Sequence, residues 1–202
     1  MTSALASLDP FALYLIAVNA LSFVVHACAF AIVRRSGRGN VRRPALNILT
    51  LAGGGAGTLV ALVLWDRHVT KDNSLAHVLA VSSVLFWVAV AGFRYVAPFD
   101  PETFAQNLSG VSVTLVCYLA LINLVAFVCF AVDKWRAVRG AWRVPEVTLL
   151  GLSLAGGALG GLGAMVLLRH KIRSPQFAWG VPMALVSWLT LLAFLVSAGL
   201  VS

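Results

Sequence analysis

Charge is the scarcest property of this sequence. Only 11% of its 202 residues are Asp, Glu, Lys or Arg, and seven acidic residues stand against 15 basic ones. A soluble domain of this size needs a polar shell around its core, so the composition excludes an ordinary soluble globular protein. Cysteine is rare too: Cys28, Cys117 and Cys129 are odd in number and lack zinc or redox spacing. No metal site and no cofactor is therefore predicted.

Apolar residues dominate instead, at 60% of the chain, with a mean hydropathy of +0.93. About 20 helical residues cross a hydrocarbon core about 30 Å thick, and six apolar stretches are long enough. They lie near residues 11–33, 45–65, 76–96, 109–132, 146–168 and 178–200. Each stretch is continuously apolar, which favours helices over the alternating strands of a barrel. The sequence predicts an all-α integral membrane protein with six transmembrane helices.

The two halves of the chain repeat one another. A shift of 104 residues pairs Tyr14, Asn19 and Phe23 with Tyr118, Asn123 and Phe127. A shift of 103 pairs Gly53, Gly54 and Gly57 with Gly156, Gly157 and Gly160. We interpret this as two copies of one three-helix unit, at 1–104 and 105–202. Three crossings per copy is an odd number, so the second copy is expected to enter from the opposite side, as an inverted-topology repeat.

Charged motifs distinguish the second copy from the first. The second copy reads Asp133-Lys134, then Arg143-Val144-Pro145-Glu146, Gly156-Gly157, Arg169-His170-Lys171 and Phe177. This order resembles the bacterial membrane family called domain of unknown function 1294. The resemblance implies a protein of the bacterial cytoplasmic membrane and supplies no established activity. In the first copy, Ala29, Phe30 and Val69 replace Asp133, Lys134 and Lys171.

The charged residues of the second copy are therefore our candidates for contact with a ligand or a partner. The set is Asp133, Lys134, Arg143, Glu146, Arg169, His170 and Lys171. The alternative is that they form interfacial ion pairs and helix caps, since Glu146 lies near a helix N-terminus and Lys134 lies near a C-terminus.

Small residues line the second and fifth apolar stretches. Glycines four residues apart share one helical face and allow close backbone approach: Gly53, Gly57, Gly156, Gly157, Gly160 and Gly161. We expect the two stretches to pack against each other there, with a glycine-lined pore as the alternative.

Three polar residues fall inside apolar stretches. Asn19 and Asn123 occupy matching positions, and His26 lies two turns beyond Asn19. An unpaired amide in hydrocarbon costs several kcal/mol, so partners are required. Each amide could bond a neighbouring backbone carbonyl, or the two could meet at a shared midplane site. His26 is matched by Phe130 and is expected to be a satisfied core histidine.

Six crossings divide the basic residues unevenly between the two membrane faces. One face receives nine: Arg34, Arg35, Arg38, Arg42, Arg43, Arg94, Arg169, Lys171 and Arg173. The other receives six: Arg67, Lys71, Lys134, Arg136, Arg139 and Arg143. The first face is then cytoplasmic and both termini lie outside. Basic residues at helix ends fit anionic lipid head groups better than nucleic acid.

These features favour a small transporter or channel-like protein for an anionic, neutral or lipid-like solute. No carboxylate lies inside a predicted helix, which disfavours a proton or cation route. The alternative is a non-transporting scaffold or anionic-lipid-binding protein, and the sequence is compatible with a homo-oligomer. An enzyme acting on head groups is least favoured, because His170 is expected across the membrane from Asp133 and Glu146.

Overall fold

The computed structural model describes residues 9–36 and 44–201. Arg38, Arg42 and Arg43, which entered the charge count, lie outside these ranges. The described residues contain helices and no strand, and six segments are long and apolar enough to cross a membrane. They are Pro10–Arg35, Ala45–Trp65, Ser74–Tyr95, Val113–Val138, Glu146–Leu167 and Pro175–Ser197. The predicted all-α membrane architecture with six apolar segments is confirmed.

Most of the described residues are helical, and a short turn separates two consecutive helices at two places in the chain. The order is α1 Pro10–Ser36, α2 Pro44–Leu49, a turn at Thr50–Gly54, α3 Gly55–Trp65, α4 Ser74–Tyr95, α5 Pro101–Ser109, α6 Val113–Val138, α7 Glu146–Leu152, a second turn at Ser153–Gly157, α8 Ala158–Leu167 and α9 Pro175–Ser197. The chain divides into two compact units, residues 1–84 and 85–202, with the boundary inside α4.

In the second unit, the segment from Glu146 to Leu167 turns back on itself. A continuous helix of 22 residues would hold its ends about 33 Å apart, yet Lys171 Nζ lies 3.0 Å from Glu146 Oε1. The reversal occurs at Gly156, whose φ is 110°. Gly157 meets Ile122 and Ala126 of α6, whereas His170 reaches Asp133 further along α6. Helix α8 therefore runs parallel to α6, and α7 runs antiparallel to it.

The first unit contains the same reversal, at Gly53, where φ is 119°. The hydroxyl oxygens of Thr50 and Thr58, eight residues apart in sequence, lie 2.9 Å from each other. In a straight helix they would be separated by about 12 Å. Each unit therefore holds a helical hairpin, 44–65 or 146–167, whose two ends lie on the same side of the unit.

Side chains of the preceding helix satisfy the backbone groups that the reversal exposes. Asn123 donates through Nδ2 to the Gly156 carbonyl at 3.0 Å and accepts through Oδ1 from the Gly160 amide at 2.7 Å. Tyr118 donates to the Ala155 carbonyl, and Trp188 of α9 donates to the Leu154 carbonyl. Irregular backbone at membrane depth needs such partners, because hydrocarbon offers none.

Asn19 makes the matching bonds in the first unit. It donates to Gly53 O at 2.7 Å and accepts from Gly57 N at 2.9 Å, while Tyr14 donates to Ala52 O. The residues paired by the sequence offsets thus make the same contacts in both units.

Close backbone approach explains the glycines that follow each turn. A Cβ atom on Gly160 would lie 2.0 Å from the Asn123 carbonyl oxygen, and one on Gly57 would lie 2.0 Å from that of Asn19. The expectation that these glycine faces pack against each other is therefore wrong, because each face is filled by the helix that precedes its own hairpin, α1 or α6. Gly156 serves a different purpose, since its positive φ makes the turn itself.

The far end of the second unit is closed by polar contacts. Asp100 caps α5 by accepting from the amide and hydroxyl of Thr103, and these bonds lower the pKa of Asp100. Asn107 donates to the Val196 carbonyl at the end of α9, and Ser112 N donates to Val201 O at 2.8 Å. Helix α9 therefore runs from the mouth of the hairpin back to the start of α6.

The fold-back changes the topology argument. The expected inverted repeat depended on three crossings per copy, and the reversals at Gly53 and Gly156 remove that premise. The hairpin arm from Glu146 to Gly156 is about 15 Å long, half of a hydrocarbon core about 30 Å thick. It can reach the middle of a bilayer but cannot span it.

Replacing Gly156 by alanine tests the turn. A non-glycine residue is strained at this φ, so the free energy of unfolding in detergent should fall by about 1–3 kcal/mol. Gly151→Ala is the matched control, because a Cβ at Gly151 in α7 meets nothing within 4 Å and alanine favours helix. Equal stability of the two variants would contradict the turn geometry.

Replacing Gly160 by alanine tests the close approach of α8 to α6. The added methyl must push the two backbones apart, which should lower the free energy of unfolding by about 1–3 kcal/mol. Gly163→Ala, on the same helix with open space at its Cβ, should leave stability unchanged or raise it. Wild-type stability of Gly160→Ala would place the contact elsewhere.

Candidate functional site

Asp133 forms the centre of a charged cluster at the mouth of the second hairpin. It lies in the last turns of α6 and its side chain is fully buried. One carboxylate oxygen accepts from the Val144 amide at 3.1 Å, and the other lies 2.8 Å from His170 Nε2. A buried carboxylate is tolerated only when it is paired and hydrogen-bonded in this way. Asp133 thereby ties both ends of the hairpin to α6.

Glu146 and Lys171 close the mouth between the two hairpin arms. Lys171 Nζ lies 3.0 Å from Glu146 Oε1 and 3.5 Å from Asp133 Oδ2. The other Glu146 oxygen accepts from Gln176 Nε2 of α9 at 3.0 Å. We call Asp133, Glu146, His170 and Lys171 the hairpin clasp. The clasp thus pairs two carboxylates with one ammonium and one imidazole.

Aromatic residues lie directly beneath the clasp. Phe177 is fully buried, its ring packs edge-on against Phe130 at 5.8 Å, and Lys171 Nζ lies 4.4 Å from the ring centroid. The ammonium is therefore held by two carboxylates and by an aromatic face. Gly161 makes room for Phe130, since a Cβ there would lie 3.1 Å from the Phe130 ring.

Backbone conformation aims the side chains of the Arg-His-Lys motif. Arg169 and Lys171 adopt positive φ, 48° and 59°, which is uncommon for residues with a Cβ. The amide of His170 bonds back to Met165 O and ends α8. This tight exit places His170 and Lys171 inward at the clasp and leaves Arg169 exposed.

Three cations surround the clasp without joining it. Lys134, Arg143 and Arg169 each adjoin a residue of the cluster in sequence, namely Asp133, Val144 and His170. Within the described ranges, none of the three has a side-chain hydrogen bond or ion pair. Arg143 and Arg169 are exposed, and Lys134 is half-buried. They leave positive charge at the surface around the clasp.

The structure corrects two expectations about this site. His170 was expected across the membrane from Asp133, but the two side chains are in hydrogen-bond contact because the hairpin folds back. Asp133 was expected outside the helices, but α6 continues to Val138 and encloses it. Asp133, Glu146, His170 and Lys171, which come from three of the sequence motifs, thus meet in one place.

The Asp133–His170 pair has a defined chemical polarity. An ionised carboxylate is an acceptor only, so Nε2 of His170 carries the proton that bonds Asp133. The other ring nitrogen, Nδ1, has no hydrogen-bond partner among residues 9–36 and 44–201. His170 is 13% exposed. Nδ1 can therefore accept a hydrogen bond from a ligand, or donate one if the ring is charged.

The intramembrane asparagines lie at the hairpin turns, within their own units. Beyond the bonds described above, Asn19 and Asn123 donate to Leu15 O and Leu119 O, each at 2.8 Å. Their amides are thus used by the backbone of the turns. His26 is buried, with Nδ1 2.8 Å from the Ser22 carbonyl.

A buried polar chain in the first unit was missed from the sequence. Thr58 Oγ1 lies 2.8 Å from Ser22 Oγ and 2.9 Å from Thr50 Oγ1, and Ser83 donates to the Thr50 carbonyl. Together with His26, these side chains occupy the space beside the turn. The sequence offsets match Ser22, His26 and Thr58 with Ala126, Phe130 and Gly161. Comparing the non-identical residues that the offsets match, as well as the identical ones, could have shown that polar side chains in the first copy are replaced by apolar packing in the second.

Comparison with known proteins adds a family to this geometry. The model of a family described as a protein of unknown function (DUF1294) matches residues 123–177, which run from the asparagine at the turn through the clasp to Phe177. The uncharacterized protein YsdA of Bacillus subtilis (strain 168) is 39% identical over 72 residues, covering 36% of this chain and 81% of that protein. No solved structure matches the chain.

The relative is covered over more than two thirds of its length, and the matched segment contains every member of the hairpin clasp. This chain belongs to the DUF1294 family of proteins of unknown function.

Proposed function

We propose that this protein is an integral protein of the bacterial cytoplasmic membrane that binds anionic lipid head groups on its cytoplasmic face. The observation that supports the proposal is the fold-back of both hairpins. A hairpin that returns to the side it left brings the segments before and after it to one membrane face.

Basic residues are then distributed almost entirely to that face. Of the 15 Lys and Arg residues, all but Arg94 lie in or beside the segments around 34–43, 66–73, 134–143 and 169–173. The opposite face carries Arg94 together with Asp9, Asp100 and Glu102. With six crossings, the two membrane faces would carry nine and six basic residues. The fold-back makes this difference much larger and so strengthens the positive-inside signal. The basic face is cytoplasmic, and both termini lie outside.

Tryptophans support the same arrangement. Trp65, Trp135, Trp142 and Trp179 are about half or more exposed and lie at helix ends or loops on the basic face. Indole rings favour the head-group level of a bilayer. Arg139 stacks on Trp135 at 4.0 Å, which places a cation at that level. A basic surface with an aromatic belt fits a leaflet rich in anionic lipid, to which each cation contributes on the order of 1 kcal/mol.

Transport is the second candidate function. Paired helix breaks near the middle of the bilayer are typical of transporters and support a channel-like protein for an anionic, neutral or lipid-like solute. Against it, the carbonyls of Ala155 and Gly156 at the second break already accept side-chain hydrogen bonds. These two groups are therefore less available to coordinate a solute, and lipid binding is the better-supported function.

Cysteine accessibility tests the topology. In a background with the native cysteines replaced by alanine, Ala141→Cys and Ile172→Cys flank the second hairpin, and Gln106→Cys lies in α5. The first two should react with an impermeant maleimide only after the cytoplasmic side is opened, and Gln106→Cys should react in intact spheroplasts. Reaction of residues 141 and 172 from opposite sides would mean that the segment crosses the membrane.

Lipid retention and solute flux together test the function. The purified protein should keep phosphatidylglycerol in preference to phosphatidylcholine in native mass spectrometry, and this preference should weaken with salt because it is electrostatic. Liposomes containing the protein should show no flux in a broad solute screen. Equal retention of both lipids would refute head-group binding, and a saturable flux would favour the transporter.

A further inference from the structure

The hairpin clasp and the cations around it have different chemical roles. Clasp carboxylates are occupied by Val144 N, His170, Lys171 and Gln176, so a ligand would have to displace these bonds to reach them. The neighbouring side chains of Lys134, Arg143 and Arg169, by contrast, form no ion pair within the described ranges and can bind an anionic ligand. We call these three side chains together with His170 Nδ1 the rim.

We propose that the rim binds the head group of one lipid, an anionic phosphodiester that also carries a hydroxyl group. This inference rests on the proposed function and specifies where on the basic face, and for which head group, it acts. The clasp positions the rim and is not itself the binding surface.

Proximity of the rim residues follows from the clasp. Asp133 bonds both the Val144 amide and His170, so the residues adjacent in sequence, Lys134, Arg143 and Arg169, are brought to one mouth. Positive φ at Arg169 and at Lys171 separates an exposed arginine from an inward lysine within three consecutive residues. Two exposed guanidiniums can each form paired hydrogen bonds with phosphate oxygens.

His170 adds selectivity for the alcohol of the head group. An ionised Asp133 accepts from Nε2, which leaves Nδ1 as the ring nitrogen that can accept from a ligand hydroxyl. A phosphate alone offers no donor to this nitrogen, whereas the glycerol hydroxyls of phosphatidylglycerol do. Phosphatidylmethanol carries the same phosphodiester charge and lacks the hydroxyl, so it is the matched probe.

The first copy supplies an internal control. Its matching positions 29, 30 and 69 hold Ala, Phe and Val, so these positions cannot form the same ion pairs. Arg34 and Arg35 end α1 on the same proposed face and carry the same charge as Arg143 and Arg169. Replacing Arg34 and Arg35 changes the net charge as much as replacing Arg143 and Arg169 does. The two double variants therefore differ only in whether the rim is removed.

The experiment measures lipid affinity of the full chain in detergent by native mass spectrometry. Wild type should bind phosphatidylglycerol about fivefold more tightly than phosphatidylmethanol, as one hydrogen bond implies. The double variant Arg143→Gln/Arg169→Gln should lose about tenfold or more in affinity for both lipids with an unchanged melting temperature. Arg34→Gln/Arg35→Gln should lose less than about threefold.

Each other outcome has a separate meaning. Equal loss in the two double variants would overturn the rim as a site while leaving head-group binding intact. Equal affinity of wild type for the two anionic lipids would overturn the hydroxyl contact of His170. Absence of any preference over phosphatidylcholine in wild type would remove the proposed function itself. Asp133→Asn should lower the melting temperature, and if it lowers affinity alone, the clasp is part of the binding surface.

Discussion

Within each unit, one asparagine side chain replaces the backbone hydrogen bonds that are lost where the chain turns back inside the membrane. Asn123 bonds Gly156 O and Gly160 N, on both sides of the break, and Asn19 does the same for Gly53 and Gly57. Without this bridge the turn would leave peptide groups unpaired in hydrocarbon. The parallel packing of α8 on α6, the short mouth of the hairpin and the position of the clasp all follow from it.

Sequence patterns predicted the apolar helical segments and named the four residues that meet at the clasp, but they did not predict the path of the chain. Hydropathy measures length and composition, and a hairpin of two half-length arms has the same hydropathy as one crossing helix. Gly53-Gly54 and Gly156-Gly157 interrupt their stretches at matching positions, which was interpreted as a packing face. Whether such a stretch is a crossing helix or a hairpin depends on the φ angle of a single glycine in each copy. The hydrophobic periodicity of the sequence does not depend on that angle. The charge distribution is the sequence signal that could have revealed the reversal.

The two copies keep one backbone design and fill it with different chemistry. In the first unit, hydroxyls of Ser22, Thr50 and Thr58 hold the hairpin arms together beside the turn. In the second, Phe130 fills the corresponding space over Gly161, and the arms are held at their mouth by the clasp. Stabilisation therefore moves from the membrane interior to the water interface. An interfacial clasp leaves its surroundings open to head groups, as the rim requires.

A hairpin that returns to its starting side also simplifies the evolutionary history of the chain. A unit with two crossing helices and one fold-back ends on the side where it began, so a second copy joined to it in tandem inserts in the same orientation. Such a gene fusion needs no precursor able to insert in both orientations, which an inverted duplication requires. Under the proposed topology, one tandem duplication of such a unit is sufficient to produce both copies.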